Sequence, residues 1–584
     1  MKEQQKKLAP YIQALPSILL YQIVTKLVIA AWVFLMGRLF RVLLNSMGRV
    51  AVSSGDFLFL FTHWQGLLII LLGLVSLYVY VALDLNASVI LSKELLTGNK
   101  INVLDILKRA LPTIKSFMCW RGFGVILYIA LIAPILGIGV SLSMTQGLYI
   151  PTFISSVIVA TPAYYILALI VMVIFLIIGL ANIFIIHGVV LDKLSVGDAS
   201  EQSRRLVRGN WKDFVKQDLL FILVISLLLV GVVMVFLVIP IALVQVIPMP
   251  FTLRRGLTIF FTVTGALLSL VSDLFAVPVY LMRMTELYYI YKKEPPIPFH
   301  PRESNYKLTL LGVAFWLLAT VVITVRVTKR FDDWFPQNTT VGIVAHRGGG
   351  TSGAENTVAG IEKAWEIGAF GSEIDIQRTK DGYYVLNHDS NFARVAGESR
   401  APEEMTLAEI KALNVDGEPI PTLEETLDAS KGKGILFIEL KGATCDKQMA
   451  DDTVKAVKDR QMEDECVLIS LQYDIIDYIE TTYPEIQTGY LTFLSLGDTA
   501  LLNCDYLALE EESATASAVD SIHKQGKKVL VWTANEKGSQ RYFLLSAVDG
   551  LITDEIVQAS DLTERLSERS DFRRMLDGVI FFIS

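Results

Sequence analysis

Long stretches almost free of charge fill the first 330 residues and end there, and no other feature limits the fold so strongly. Each approaches the roughly 20 residues an α-helix needs to cross a bilayer's hydrocarbon core. Seven spans are expected, at about Ile18–Met36, Gly66–Leu91, Gly122–Thr145, Tyr164–Val190, Leu219–Ile239, Leu257–Leu281 and Leu308–Val325. All must be helical, because a backbone in lipid has to satisfy its own hydrogen bonds. The first is too long for a signal sequence and no small-residue cleavage pattern follows it, so it is expected to be retained. Lys26, Asp84 and Asp273 fall inside spans, where a charge is costly unless it pairs, reaches the interface or lines a transport path; pairing or interfacial placement is the simpler expectation.

Charge divides the chain at the same point. Lys plus Arg against Asp plus Glu is 29 to 14 in residues 1–330 and 23 to 45 in residues 331–584. Cytoplasmic loops retain Lys and Arg. The loops at 92–121 and 191–218 hold six each and 282–307 holds five, whereas 37–65 holds three, 146–163 none and 247–256 two. The amino terminus is therefore expected inside and everything after Val325 outside, although Arg326, Lys329 and Arg330 pull mildly the other way. The apolar stripe of Leu104, Leu107, Leu111 and Ile114 suits a helix lying on the membrane surface. With 53% apolar residues and four cysteines in 584, neither a disordered chain nor a disulfide scaffold is possible.

Beyond Phe331 the apolar runs shorten to strand length and alternate with helical patterns. Nine strand candidates are Val341–His346, Gly371–Ile376, Tyr383–His388, Gly434–Leu440, Val467–Leu471, Gln487–Leu491, Tyr506–Leu509, Lys528–Trp532 and Gly550–Thr553. The second and third are joined only by a turn at Asp381-Gly382, which suits an antiparallel hairpin and is too short for a parallel crossover. The remaining eight, separated mostly by helices, predict an α/β barrel of the TIM or (β/α)8 type; the pattern alone also admits a doubly wound sheet. The expected division is a helical membrane domain at 1–330, a linker at 331–340, the barrel at 341–565 and a tail at 566–584, with apolar Val579–Ile583 too short to span.

Chemistry in such barrels gathers at the carboxyl ends of the strands. There the sequence places His346-Arg347 before a glycine run, Glu373-Ile374-Asp375, His388-Asp389 and Glu439-Leu440-Lys441. Strand alternation lets Glu373 with Asp375, and Glu439 with Lys441, point inward together. Three carboxylates at one mouth repel unless a cation sits among them, and an all-oxygen set suits Mg²⁺ or Ca²⁺. His346 and His388 titrate near neutrality and can exchange protons. Arg347 and Lys441 add positive charge for an anion. The spacing favours metal-assisted phosphodiester cleavage. Gly348, Gly349 and Gly350 read either as a phosphate cradle or as a turn, without a nucleotide-binding pattern.

Residues 341–560 resemble the glycerophosphodiester phosphodiesterase family, through HRGGGTSGAENT at 346–357, EIDIQRTKDGYYVLNHD at 373–389, IPTLEE at 420–425, IELK at 438–441, WTAN at 532–535 and DGLITD at 549–554. The helical part resembles the membrane domain fused to some bacterial members. Ala354 replaces the proline usual before Glu-Asn-Thr, and Ala393-Arg394-Val395 is a loose form of its segment. The resemblance implies a divalent metal on Glu373, Asp375 and Glu439, with His346 and His388 as general acid and base. It implies that the glycerol hydroxyl attacks phosphorus and that water then opens the cyclic phosphate, releasing an alcohol and glycerol 3-phosphate. Arg347 and Lys441 would hold the phosphate, Glu355 would bind substrate or orient site groups, and Trp532 would wall the glycerol carbons or simply pack the rim.

The expected protein is a multi-pass cell-membrane enzyme whose outward barrel cleaves glycerophosphodiesters, glycerol-phosphate polymers or lipid head groups. Its partners are such substrates and membrane lipids, and no reading module points to nucleic acid. The alternatives are a transporter or lipid-binding protein with a barrel sensor, and an enzyme that removes lysophospholipid head groups.

Overall fold

The computed structural model describes residues 2–99, 101–129, 152–294, 306–335, 340–575 and 577. Six of its helices are long and apolar enough to cross a membrane, here α1 to α6: Ala9–Ser46, Trp64–Thr97, Pro162–Leu191, Val196–Val246, Phe251–Tyr291 and Leu310–Lys329. The expected span Gly122–Thr145 starts in the helix Trp120–Leu127, and most of it lies outside the described residues. The helices overrun the expected spans because Lys, Arg, Glu and Gln propagate a helix as readily as Leu does. The basic stretch 198–216 is thus the first part of α4, set off only by a kink at Asn210 (φ −129°). The short helix Val103–Ala110 buries Val103, Ile106 and Ala110 and leaves Leu104 exposed. Lys26 is exposed and Asp84 half-buried, close enough for the charge of one to act on the other. The side chain of Asp273 and the segment Val579–Ile583 are outside the described residues.

The second part closes eight parallel strands into a barrel: β1 Gly342–Ala345, β2 Gly371–Arg378, β3 Ile435–Leu440, β4 Cys466–Ser470, β5 Gln487–Thr492, β6 Tyr506–Glu510, β7 Lys528–Trp532 and β8 Gly550–Thr553. Both pairings of β1, with β8 and with β2, are parallel, so the sheet has no free edge there and the doubly wound alternative falls away. Tyr384–Leu386 joins β2 antiparallel, as its short turn requires, with Ile376 opposite Leu386. Alternation sorts the side chains. Val344, Phe437, Val467, Ile469 and Leu530 fill the barrel, while Ile374, Ile376, Ile438 and Leu440 pack outward under the helices.

Among the described residues the two parts meet at two joints. Ala51–Ser53, in the loop between α1 and α2, pairs antiparallel with Ser495–Gly497, just past the carboxyl end of β5. Arg49 bonds Asp474, and Ser53 bonds Tyr490, whose hydroxyl also donates to Asp56 (3.1 Å). A Cβ at Gly55 would collide with the Leu471 carbonyl just past β4. At the other joint, the segment after α6 packs Phe331 and Phe335 with Ile259, Val327 and Met575. Arg574 donates to the Phe335 carbonyl and to Asp332 (2.6 Å), and Arg255 donates to Asp571 (2.8 Å). The α1–α2 loop, the start of α5 and the end of α6 therefore meet the barrel side of the membrane part. The basic residues that follow α2, open α4 and follow α5 lie at the opposite helix ends.

Candidate active site

Glu373 and Asp375 alternate with outward Ile374 and Ile376 on β2, and Asp375 stands in register with Glu439 of β3. One ligand atom from each of Glu373, Asp375 and Glu439 lies within 4.8 Å of the others, and all three residues are buried. Lys441 is the cation among them, with Nζ 3.0 Å from Asp375 and 3.3 Å from Glu439. One ammonium cannot neutralise three carboxylates. Burial, reinforced by the charge of Asp375, pushes the Glu373 carboxyl well above the usual range, and burial pushes Glu439 up despite Lys441. Asp375 goes the other way: burial would raise it, but Lys441, His388 and the Asn356 amide hold it far below. A cluster left short of positive charge, with oxygen donors only, fits a hard divalent cation.

The residues around the cluster are held by local geometry. Arg347 takes a left-handed φ of 50°, turning its N–H to donate to Glu373 (2.8 Å). Asn356, also left-handed at φ 53°, donates Nδ2 to Asp375 (2.9 Å) and accepts the Asp375 N–H (3.1 Å). The intervening glycines form a tightly packed turn: a Cβ at Gly350 would strike the Asp554 carbonyl, and one at Gly349 the backbone of Gly360. The turn, not a cradle, is the reading of that run which the packing supports.

Each histidine is steered by a carboxylate. His346, directly after β1, donates Nδ1 to Asp554 just past β8 (2.7 Å) and places Nε2 4.0 Å from Glu373. Burial alone would lower its imidazolium, but Asp554 and Glu373 outweigh burial and hold it above its ordinary value. Asp554 accepts a second bond from Asn535 (2.6 Å). His388 donates Nδ1 to Asp389 (2.8 Å), and burial, helped by Lys441 and Arg347, keeps it below its ordinary value. Gln377 clamps this turn by donating to the carbonyls of Asn387 (2.8 Å) and Asp389 (2.7 Å).

Arg394 ties the periphery together. It donates to Asp389 (2.7 Å) and, bidentate, to Glu355 (2.6 and 2.7 Å). Glu355, expected near substrate or site groups, thus sits outside the carboxylate cluster, with the Arg347 guanidinium 3.6 Å away. The Nε of Arg347 is buried without a hydrogen-bond partner, leaving donor capacity at the mouth. Trp532, half-buried, donates Nε1 to the Ala508 carbonyl (2.9 Å) and packs on the barrel interior. No role for Arg394, Asn356 or Gln377 is read from the sequence, although all three lie in or beside the matching motifs. An Asn or Gln inside a motif shows no role until its partner is placed.

A profile described as the glycerophosphoryl diester phosphodiesterase family matches residues 346–558, and one described as the membrane domain of glycerophosphoryl diester phosphodiesterase matches residues 6–323, more than half of the chain. A glycerophosphodiester phosphodiesterase of Caldanaerobacter subterraneus subsp. tengcongensis is 29% identical over 232 residues, covering 36% of this chain and 93% of the relative. Mouse glycerophosphodiester phosphodiesterase 1 is 34% identical over 113 residues, covering 18% of this chain and 34% of that one. Among solved structures, an Oleispira antarctica phosphodiesterase in complex with the product sn-glycerol-3-phosphate is 24% identical, with a TM-score of 0.36 over 38% of this chain and 96% of that chain.

Proposed function

The chain belongs to the glycerophosphoryl diester phosphodiesterase family and is a membrane protein and a phosphoric diester hydrolase; from this premise we propose that it cleaves glycerophosphodiesters to an alcohol and glycerol 3-phosphate with a divalent metal and two histidines. The observation that carries the proposal is the buried trio Glu373, Asp375 and Glu439 flanked by His346 and His388, each tied to its own carboxylate. The trio would hold Mg²⁺ or Ca²⁺, whose charge would stabilise negative charge gathering on the phosphate oxygens. Arg347 and Lys441 hold the phosphate in place. His388, kept neutral, takes the proton of the attacking glycerol hydroxyl; His346, kept protonated, gives one to the departing alkoxide. Opening the cyclic phosphate reverses both roles, so the two imidazoles regain their starting states. Glu355 acts through Arg394, and Trp532 offers an apolar face to the glycerol carbons.

The barrel lies on the outer face in this reading. Support comes from the loop between α1 and α2, which is poor in basic residues and pairs with the barrel, while the basic residues that follow α2, open α4 and follow α5 lie at the opposite helix ends. Hydrolysis of glycerophosphocholine, a lysophospholipid and a polyglycerolphosphate chain by the purified full chain with Mg²⁺ or Ca²⁺ tests the chemistry. Loss of that activity in Glu373→Gln and His388→Ala assigns it to this site, and inactivity of the unaltered protein toward all three substrates overturns the proposal. Comparing intact cells with inverted vesicles tests the sidedness.

A further inference from the structure

A large concavity lies in the membrane part, away from the barrel mouth. It encloses about 1730 Å³ between α1, α2, α3, α4, α5 and the helix Trp120–Leu127, well above the roughly 300–1,000 Å³ of small-ligand clefts. Its lining is divided. Toward the bilayer interior it is apolar, with Leu176, Phe221, Leu228 and Phe275. The end near the basic loops is polar. There Asn182 accepts from Ser200 (2.7 Å), and Arg121 packs against Gly197 in the first turn of α4, where helix N–H groups add positive potential.

Among the described lining residues, three arginines, Arg121, Arg204 and Arg283, face two carboxylates, Asp218 and Glu286, an excess of one positive charge. Arg283 donates to Glu286 (2.5 Å) and Gln217 (2.8 Å), and Glu286 also accepts from Tyr11 (3.0 Å), so that pair is internally matched. Asp218 also lines the cavity, beside Tyr280, and Asp198 in the first turn of α4 bonds Ser195 (2.7 Å). Arg121 and Arg204 both line the cavity, and among the described residues neither has an ion-pair or hydrogen-bond partner. Arginines that serve only to mark the basic side of a membrane need not border an apolar chamber. Two unpaired guanidiniums above an apolar chamber match a ligand that joins a phosphate to long hydrocarbon chains.

We propose that this cavity binds a diacyl phospholipid of the surrounding bilayer, with its phosphate on Arg121 and Arg204 and its acyl chains along α4 and α5. The inference stands apart from the barrel chemistry. Native mass spectrometry of the full chain in detergent, titrated with dioleoyl-phosphatidic acid, dioleoylglycerol or inorganic phosphate, tests it. One phosphatidic acid is expected to bind per chain at least tenfold more tightly than dioleoylglycerol, and millimolar inorganic phosphate is expected to leave it bound. Arg121→Gln/Arg204→Gln should weaken binding about tenfold or more, Arg121→Lys/Arg204→Lys should retain most of it, and Ile225→Trp should weaken it by filling the chamber. His346→Ala should change nothing, which separates this site from the barrel. Equal binding of phosphatidic acid and dioleoylglycerol, full binding in the double Gln variant, displacement by phosphate alone, or loss in His346→Ala would each overturn the proposal.

Discussion

Replacing Asp554 by Asn removes the charge that faces His346 Nδ1 at 2.7 Å while keeping the side chain's shape. The size of the effect can be worked from the carboxyl itself. Burial would raise it, yet its bonds to His346 and Asn535 pull it from 3.8 down to about 2, a net gain of about 2 kcal/mol. That agrees with the roughly 1.5–3 kcal/mol of a hydrogen bond to a charged group. If most of it keeps His346 protonated and therefore able to act as the acid, kcat near neutral pH should fall by roughly 10- to 100-fold, through loss of the protonated fraction, with KM little changed. The pH profile should move as well. A histidine held above its ordinary value stays protonated to higher pH, so removing its carboxylate should shift the alkaline limb of kcat to lower pH. Steady-state hydrolysis of glycerophosphocholine by the full chain between pH 5 and 9, under saturating metal, reads both effects. A variant whose profile only scales down, with the limb unmoved, would show that Asp554 merely supports the fold and would refute the acid role of His346.

Glu439→Gln should abolish metal-dependent hydrolysis. It should also stabilise the EDTA-treated protein at pH 8 but not at pH 4.5, because a buried carboxyl held above its ordinary value destabilises the fold only as rising pH ionises it; thermal melts at the two pH values check the sign. Arg394→Ala frees Asp389 and Glu355 together and should lower kcat by about tenfold, an indirect loss that Arg394→Lys would not fully restore because the bidentate pair needs a guanidinium. A disulfide between Val52→Cys and Leu496→Cys, which stand directly opposite each other in the antiparallel pairing, should form in high yield on oxidative cross-linking in intact cells if the α1–α2 loop docks on the barrel as described; its absence would unseat the arrangement of the two parts.

Much was legible from residue order alone, for reasons that differ between the two parts. Lipid leaves a spanning segment only one structure, so uncharged length reveals the helices but not where they stop: Lys and Arg prolong α4 back to Val196 at no cost. In the barrel, strands buried on both faces announce themselves as short apolar runs, and the brief Asp381-Gly382 turn distinguishes the hairpin from a barrel strand. Inward Glu373, Asp375, Glu439 and Lys441 follow from alternation. Of the histidine supports, Asp389 is legible as the neighbour of His388, but Asp554 is not. Asp554 lies 208 residues from His346 and reaches it only because the barrel closes β8 onto β1.

Sequence by itself determined what is local or periodic: helices long enough for a bilayer, strands that alternate, carboxylates two residues apart on one strand face. Tertiary structure alone decided which distant groups meet: Arg394 between Asp389 and Glu355, the α1–α2 loop as a strand beside Ser495–Gly497, and Arg121 with Arg204 over an apolar chamber. The physical reason is that periodicity acts through bonds between near neighbours, whereas partnership depends on closure and packing, which bring together residues that no spacing relates.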